Sequence, residues 1–146
     1  MDETISDAEV STEGNYLLRC DRSMKMRGGG VLLYVKKALQ AVKVDVIGDF
    51  PEQVWCKIRA GSGYNLLIGV CYRTPTEQAF GSDNHSKLRY MLSDVSNEIF
   101  MGDFNYGQID WSSGACKSGA TEECRLFLEC LQELSLIHIS EPTRPY

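Results

Sequence analysis

The sequence predicts a mixed α and β fold in which packed β-sheets are flanked by helices. Two strand-length apolar runs, residues 53–58 and 64–72, are separated by a glycine-containing turn at 60–63, which is typical of an antiparallel hairpin. Further along, a helical pattern at residues 86–99 lies between two strands, which is typical of a crossover connection. Hairpins and a crossover in one chain of 146 residues favour packed sheets with outer helices over a doubly wound parallel sheet.

The amino-terminal half begins with polar residues 1–15, for which we predict irregular structure. Three glycines at 28–30 lead into the apolar, β-branched run 31–35, a predicted strand. Glycines before a strand are typical of a bulge or a close backbone approach, and no helix with Lys-Ser/Thr follows that would indicate a phosphate loop. In the next strand the side chains alternate, so Cys56 and Trp55 are predicted to face opposite sides.

Two helices are predicted in the second half. The first covers residues 86–99, with apolar side chains at helical spacing, and the strand after it is predicted to end at Met101. Those apolar residues are Leu88, Met91, Leu92, Val95 and Ile99. Thr121 is the predicted N-cap of the last helix, because acidic residues occupy the first turn behind it. The apolar face of that helix comprises Leu126, Phe127, Cys130 and Leu131.

Composition limits the class of protein. Hydrophobic residues make up 43% of the chain and charged residues 24%, the balance of a soluble globular protein. No run reaches the roughly eighteen apolar residues of a membrane span, and the acidic amino terminus does not resemble a signal peptide. The six cysteines include no Cys-x-x-Cys pair, which favours reduced, structural thiols and an intracellular location over a disulfide framework.

The charge distribution leaves two interpretations of one basic segment. The net charge of −5 argues against general electrostatic binding of nucleic acid. Basic residues nevertheless crowd residues 19–27, and Lys36 and Lys37 follow. The segment is either a solvated loop and strand end or a patch that contacts phosphates.

The carboxyl-terminal segment is predicted to be foreign to the domain. Residues 134–146 begin with a string that matches the in-frame translation of a transposase adapter used in preparing sequencing libraries. We therefore assign the domain to residues 1–133 and exclude 134–146 from fold reasoning. The alternative is a native helix end and loop, and sequencing of the genomic locus distinguishes the two.

Polar residues follow two of the apolar strands. Asp103 and Asn105 follow one strand, and Tyr72 and Arg73 follow another. A carboxylate can accept a proton, and a carboxamide both donates and accepts hydrogen bonds. Phosphodiester hydrolysis needs an activated water and donors for a phosphorane, which such groups on one rim could supply. Taken alone, Tyr72 could equally be a packing aromatic and Asp103 a turn-forming carboxylate.

Four blocks in order carry a family resemblance, namely residues 27–35, 51–55, 67–75 and 101–111. Together they resemble the endonuclease/exonuclease/phosphatase superfamily, and the nearest likeness is to the endonuclease domain of non-LTR (LINE-type) retrotransposon proteins. The likeness covers roughly residues 5–133. It implies a DNase I-like, four-layer sandwich of two packed mixed sheets with flanking helices.

The same resemblance implies a Mg²⁺-dependent endonuclease that nicks DNA for reverse transcription. Asp103 is similar to the family's water-activating or metal-adjacent aspartate, and Asn105 to its phosphate- and base-orienting asparagine. Tyr72 matches the tyrosine that contacts the scissile phosphate, and Arg73 beside it is expected to bind substrate. The implied partners are DNA and a reverse-transcriptase domain in a longer parent protein, located in the nucleus and not in a membrane.

Departures from the family pattern are equally informative. The family's early asparagine and metal-binding glutamate should precede the block at 5–10, and Glu3 lies too close to that block to replace the glutamate. The late Ser-Asp-His motif is expected after Glu133, and His138 lies in the predicted tail. Residues 82–85 are superficially similar to that motif but precede the strand that leads to Asp103.

We therefore expect a domain truncated at both ends, with poor solubility and little activity. Two alternatives stay open. One is a non-catalytic relative that binds phosphate or protein, and the other is a phosphatase of the same superfamily that acts on a phosphoester.

Overall fold

A computed structural model describes residues 6–22, 29–45, 48–61, 63–75, 83–94 and 98–134. Its elements in chain order are α1 (Asp7–Val10), β1 (Asn15–Cys20), β2 (Val31–Lys36), a 3₁₀ turn (Lys37–Leu39), β3 (Val42–Val44), β4 (Gln53–Arg59), β5 (Asn65–Tyr72), α2 (Asn84–Ser93), β6 (Glu98–Asp103), β7 (Ile109–Asp110), β8 (Ala115–Cys116) and α3 (Glu122–Glu133). No helix in these described segments is long and apolar enough to cross a membrane.

The central sheet has the strand order β3-β4-β5-β6. β4 and β5 form the predicted antiparallel hairpin, and Ala60 and Gly63 close its turn through a backbone hydrogen bond of 3.0 Å. Gly63 has a φ of 83°, a conformation that glycine adopts without steric cost. β5 and β6 are parallel and joined through α2, so the predicted crossover is also confirmed.

The predicted limits of the crossover helix were wrong. The helix begins two residues earlier than predicted, at Asn84, and ends at Ser93, while Ile99 belongs to β6. Ile99 is paired with Ile68 of β5, so strand pairing decided the conformation of a residue whose spacing also suits a helix. β6 continues past the predicted end at Met101 to Asp103. Val95 lies outside the described residues.

The larger core lies between the helices and one face of the central sheet. Trp55 is 1% exposed, and its ring stacks on Phe100 with centroids 5.5 Å apart. Gly69 pairs with Trp55 across the strands, and a Cβ at this glycine would lie 2.3 Å from the indole. Leu88 of α2 and Phe127 of α3 are fully buried against the same core. The predicted last helix is thereby confirmed, including the Thr121 cap that accepts from the backbone of the first turn.

A smaller core lies on the opposite face, where the β1–β2 hairpin packs against the central sheet. Val35 of β2 and Cys56 and Ile58 of β4 are its buried members. Cys56 and Trp55 therefore face opposite sides, as predicted. The described residues show an α+β arrangement of three layers, helices, central sheet and hairpin, that is compatible with a DNase I-like fold. The fourth layer stays a prediction.

The amino-terminal segment is more ordered than predicted. Ser6 and Glu9 form a capping box around the single turn of α1, with the Ser6 N–H donating to Glu9 Oε2 at 2.7 Å. β1 then begins at Asn15 and pairs along its whole length with β2. Its short mixed pattern is a weak strand signal, and pairing with the apolar β2 decides its conformation.

Candidate functional site

Two neighbouring strands bring predicted site residues to one edge of the central sheet. Tyr72 at the end of β5 is paired with Asp103 at the end of β6, and the strands are parallel. Paired residues point to the same face, and neighbouring strands lie about 4.8 Å apart. Tyr72 is half-buried and Asp103 is exposed. A phenol and a proton acceptor therefore stand side by side at this edge.

Asn105 lies in the tight turn that follows β6. Its φ of 53° is in the left-handed region, which asparagine tolerates better than most residues. Its backbone N–H donates to Asp103 Oδ1 at 3.2 Å, and its Nδ2 donates to the carbonyl oxygen of Arg73 at 2.6 Å. The second bond fixes the carboxamide and leaves its oxygen as an acceptor.

Arg73 supports this turn from behind. Its Nε donates to the carbonyl oxygen of Phe104 at 2.5 Å, and its Nη2 donates to that of Asn105 at 2.7 Å. Arg73 is 5% exposed, and its guanidinium lies 4.1 Å from the ring centroid of Tyr106. Among the described residues, no Asp or Glu lies within ion-pair distance of Arg73. Arg73, which was predicted to bind substrate, is therefore a buried cation whose hydrogen bonds hold the turn at Asn105.

The four predicted residues lie on two sides of the sheet edge. Because side chains alternate along a strand, Tyr72 and Arg73 leave β5 in opposite directions. Tyr72 and Asp103 share the face on which the β1–β2 hairpin packs. Arg73 and Asn105 line an open cavity of about 590 Å³ on the helical side.

His85 also lines this cavity, although the similarity of residues 82–85 to the family's late Ser-Asp-His motif was interpreted as superficial. Its Nδ1 lies 2.7 Å from the Tyr106 hydroxyl. Burial raises the pKa of Tyr106 to about 12, more than the nearby Arg73 lowers it. The signal that could have found His85 is topological, because a crossover helix starts at the edge where the preceding strand ends.

A buried ion pair between Arg22 and Glu52 lies beside Tyr72. At Arg22 the basic segment is therefore neither a solvated loop nor a patch that contacts phosphates, and both interpretations were wrong for this residue. Arg22 Nε is 2.6 Å from Glu52 Oε1, and the two residues are 7% and 1% exposed. Arg22 Nη2 donates to Thr74 Oγ1 at 3.0 Å, and the guanidinium lies 5.7 Å from the Tyr72 ring centroid. Arg22 therefore joins the β1–β2 hairpin to the ends of β4 and β5.

Other parts of the basic segment behave differently. Arg19 forms ion pairs with Asp7 and Asp21 at 2.8 and 2.6 Å. Lys25 and Arg27 lie outside the described residues. Gly29, with a φ of 100°, confirms the predicted close approach, because a Cβ there would lie 2.2 Å from Arg22 Cζ.

The donor set for a metal is incomplete in the described residues. Mg²⁺ takes oxygen ligands, commonly one or two carboxylates with water and substrate phosphates. This edge supplies the Asp103 carboxylate and the Asn105 carboxamide oxygen. The described segments contain no group of three or more His, Cys, Asp or Glu side chains that could hold a metal ion. These residues do not make a metal site by themselves.

Comparison with known protein families identifies a match that includes the residues at this edge. Residues 66–146, more than half of the chain, match the family described as endonuclease-reverse transcriptase. The chain belongs to this family. The match confirms the predicted membership of the endonuclease/exonuclease/phosphatase superfamily and the likeness to LINE-type endonucleases. No curated protein and no solved structure matches the chain.

The match to the endonuclease-reverse transcriptase family begins within β5 and includes all four predicted site residues, Tyr72, Arg73, Asp103 and Asn105. The Arg22–Glu52 ion pair lies before the matched range. Residues 135–146 lie within it but outside the described residues, so the adapter origin of residues 134–146 stays a prediction.

Proposed function

We propose that this chain is part of a Mg²⁺-dependent DNA endonuclease that hydrolyses a phosphodiester bond and nicks a target strand for reverse transcription. The observation that supports the proposal is the pairing of Tyr72 with Asp103 at the ends of two parallel strands, with Asn105 in the next turn. All three residues lie within the range that matches the endonuclease-reverse transcriptase family.

In this proposal Asp103 activates the attacking water. Asp103 is exposed, and among the described residues only the Asn105 N–H donates a hydrogen bond to its carboxylate, so lone pairs are available to accept a proton. General-base catalysis of this kind contributes about 10²- to 10⁴-fold. The Asn105 carboxamide is positioned by its bond to the Arg73 carbonyl oxygen and, from the cavity on the other side of the edge, orients the substrate.

The Tyr72 hydroxyl donates to a non-bridging oxygen of the scissile phosphate. A donor placed beside the proton acceptor stabilises the charge that develops as water attacks. Arg73 acts as a positioning residue, because its guanidinium holds the carbonyl oxygens of Phe104 and Asn105. Its buried positive charge also lowers the potential energy of a negative charge at the rim.

The proposed partners are DNA and a reverse-transcriptase domain in a longer parent protein, which would act in the nucleus. Mg²⁺ would neutralise charge on the phosphate when bound. Because the described residues lack a three-ligand group, we propose that the 146-residue chain alone has little or no nicking activity.

Plasmid nicking tests this function. The protein encoded by the complete genomic locus and the 146-residue chain are each incubated with supercoiled plasmid and Mg²⁺, and the nicked circle is measured on a gel. We expect nicking by the longer protein, a loss of about 10²-fold or more in its Asp103→Ala variant, and nicking by the shorter chain no greater than that of its own Asp103→Ala control.

The control variant is Glu129→Ala, which removes an exposed carboxylate on α3, outside the four predicted site residues. Unchanged nicking by the Asp103→Ala longer protein would contradict the assignment of Asp103. Robust nicking by the 146-residue chain that is lost in Asp103→Ala would overturn the inactivity proposal and support the site. Phosphate release from a small phosphoester without nicking would favour the phosphatase.

A non-catalytic relative is the second candidate, supported by the lack of a three-ligand metal group in the described segments. Such a protein would bind duplex DNA or phosphate without cleaving it. Fluorescence anisotropy with labelled duplex distinguishes the two, because binding without nicking by the longer protein favours the non-catalytic function.

A further inference from the structure

Two cysteine side chains meet between the β7–β8 hairpin and the last helix. The Sγ atoms of Cys116, in β8, and Cys124, in the first turn of α3, lie 3.8 Å apart. All six cysteines are free thiols, and among the described residues no other two thiols are in hydrogen-bond contact. Cys116 is half-buried and Cys124 is 2% exposed.

Both cysteines are held by the backbone around them. Cys116 is paired with Ile109 in the β7–β8 ladder, and the next residue donates its N–H to the Gln108 carbonyl oxygen at 2.8 Å. The Cys124 N–H donates to the Thr121 cap at 3.3 Å. A disulfide needs the sulfur atoms to approach by roughly 1.8 Å, to a bond length of about 2.05 Å, which side-chain rotation can supply.

We propose that Cys116 and Cys124 form an oxidative modification site that closes to a disulfide in the presence of a small disulfide oxidant such as glutathione disulfide. This proposal does not depend on nuclease activity. It differs from the sequence prediction of purely structural thiols, because the pairing of these two residues emerges only from the fold.

The reaction proceeds by two thiol–disulfide exchanges. The Cys116 thiolate, the more accessible of the two, attacks one sulfur of glutathione disulfide, forms a mixed disulfide and releases one glutathione thiolate. Cys124 then loses its proton to solvent, and its sulfur attacks the Cys116 sulfur. The protein disulfide forms, and the second glutathione leaves as the thiolate. Two protein thiols are oxidised, and one glutathione disulfide is reduced to two glutathione molecules.

The second exchange sets the rate of closure. Burial and the hydrogen bond with Cys116 raise the pKa of Cys124 to about 11, so little thiolate is present near neutral pH.

The disulfide would join the β7–β8 hairpin to α3, whose Cys124 lines the cavity beside Arg73. Because the bond constrains the unfolded chain, we expect the unfolding midpoint to rise by roughly 5 °C.

Peptide mapping of the folded protein tests the proposal. The 146-residue protein is incubated with glutathione disulfide, remaining thiols are blocked with N-ethylmaleimide, and tryptic peptides are weighed without reduction. Trypsin places Cys116 in residues 90–117, Cys124 in 118–125 and Cys130 in the peptide that starts at 126. We expect the first two peptides to be linked, with a mass two hydrogen atoms below their sum.

Variants make the outcome specific. Cys130→Ser, a half-buried thiol of the same helix, should leave the link intact, whereas Cys116→Ser should remove it and leave Cys124 blocked by the maleimide only after unfolding. In urea the preference for this pair should disappear. A persistent glutathione adduct on Cys116, no reaction, or earlier closure of another pair in the folded protein would each overturn the proposal. Because Cys116 is half-buried, circular dichroism of the Cys116→Ser variant is used to verify that it folds.

Discussion

The buried Arg22–Glu52 ion pair allows a quantitative prediction about what joins the two sheets. Glu52→Gln keeps the shape of the side chain but leaves the Arg22 guanidinium, 7% exposed, without its carboxylate. Removing one partner of a buried ion pair costs about 3–5 kcal/mol. For a chain of this length, that loss corresponds to a fall of roughly 10–15 °C in the unfolding midpoint.

The magnitude follows from the bonds that the pair makes. Glu52 Oε1 accepts from Arg22 Nε at 2.6 Å, and Glu52 Oε2 accepts from the Gly30 N–H at 2.6 Å. Arg22 also donates to Thr74 at 3.0 Å. In Glu52→Gln the ion pair becomes a hydrogen bond from a charged guanidinium to a neutral carboxamide, and the buried cation loses the negative charge of Glu52 that offsets its desolvation.

A double-mutant cycle in urea measures the interaction. The free energies of unfolding of Arg22→Met, Glu52→Gln and the double variant are compared with the unsubstituted protein by circular dichroism. We expect the free energy of unfolding to fall less in the double variant than the sum of the two single falls, by at least about 2 kcal/mol. The reason is that the double variant buries no charge without its partner.

The matched control is the Lys87–Asp49 ion pair, at 3.1 Å, whose Asp49 side chain is 73% exposed. Lys87→Met should cost about 0–1 kcal/mol, as expected for an exposed pair. A loss of unfolding free energy in Glu52→Gln no larger than that in Lys87→Met, or single losses that sum to the loss of the double variant, would contradict a stabilising Arg22–Glu52 interaction.

Two further predictions concern pH and self-association. The pKa of Tyr106 is raised from its ordinary value of 10 to about 12 by burial, so the folded state retains a proton that the unfolded state loses in this range. The contribution of the Tyr106 phenol to the free energy of unfolding is fully present below about pH 10. It falls by roughly 2–3 kcal/mol as the pH rises towards 12. Urea titrations at several pH values should show a smaller fall for Tyr106→Phe, and an equal fall in both proteins would contradict the assignment. Ile99 and Met101 of β6 are 46% and 47% exposed, on a strand that ends the central sheet within the described residues. Met101→Lys should therefore reduce self-association in light scattering, whereas Tyr64→Lys, at the 73% exposed hairpin turn, should not; similar association of the two variants would argue against β6 as the contact.

Local patterns in the sequence were sufficient to predict many elements of the fold. Alternation placed Cys56 and Trp55 on opposite faces, and Thr121 marked the start of α3, because burial pattern and capping are encoded within a few residues. The family blocks likewise led to the superfamily, which the match over residues 66–146 confirms. The roles of Asp103 and Asn105 within that family stay predictions.

Tertiary structure decided where distant residues meet. Ile99 joined a strand because Ile68 was available to pair with it, and Arg22 left the expected surface because Glu52, 30 residues away, needed a counter-ion. Arg73 turned to the carbonyl oxygens beyond β6, which no spacing in the sequence indicates. Periodicity reports how each residue meets its immediate neighbours, whereas the partner of a buried charge or thiol depends on the three-dimensional arrangement of whole elements.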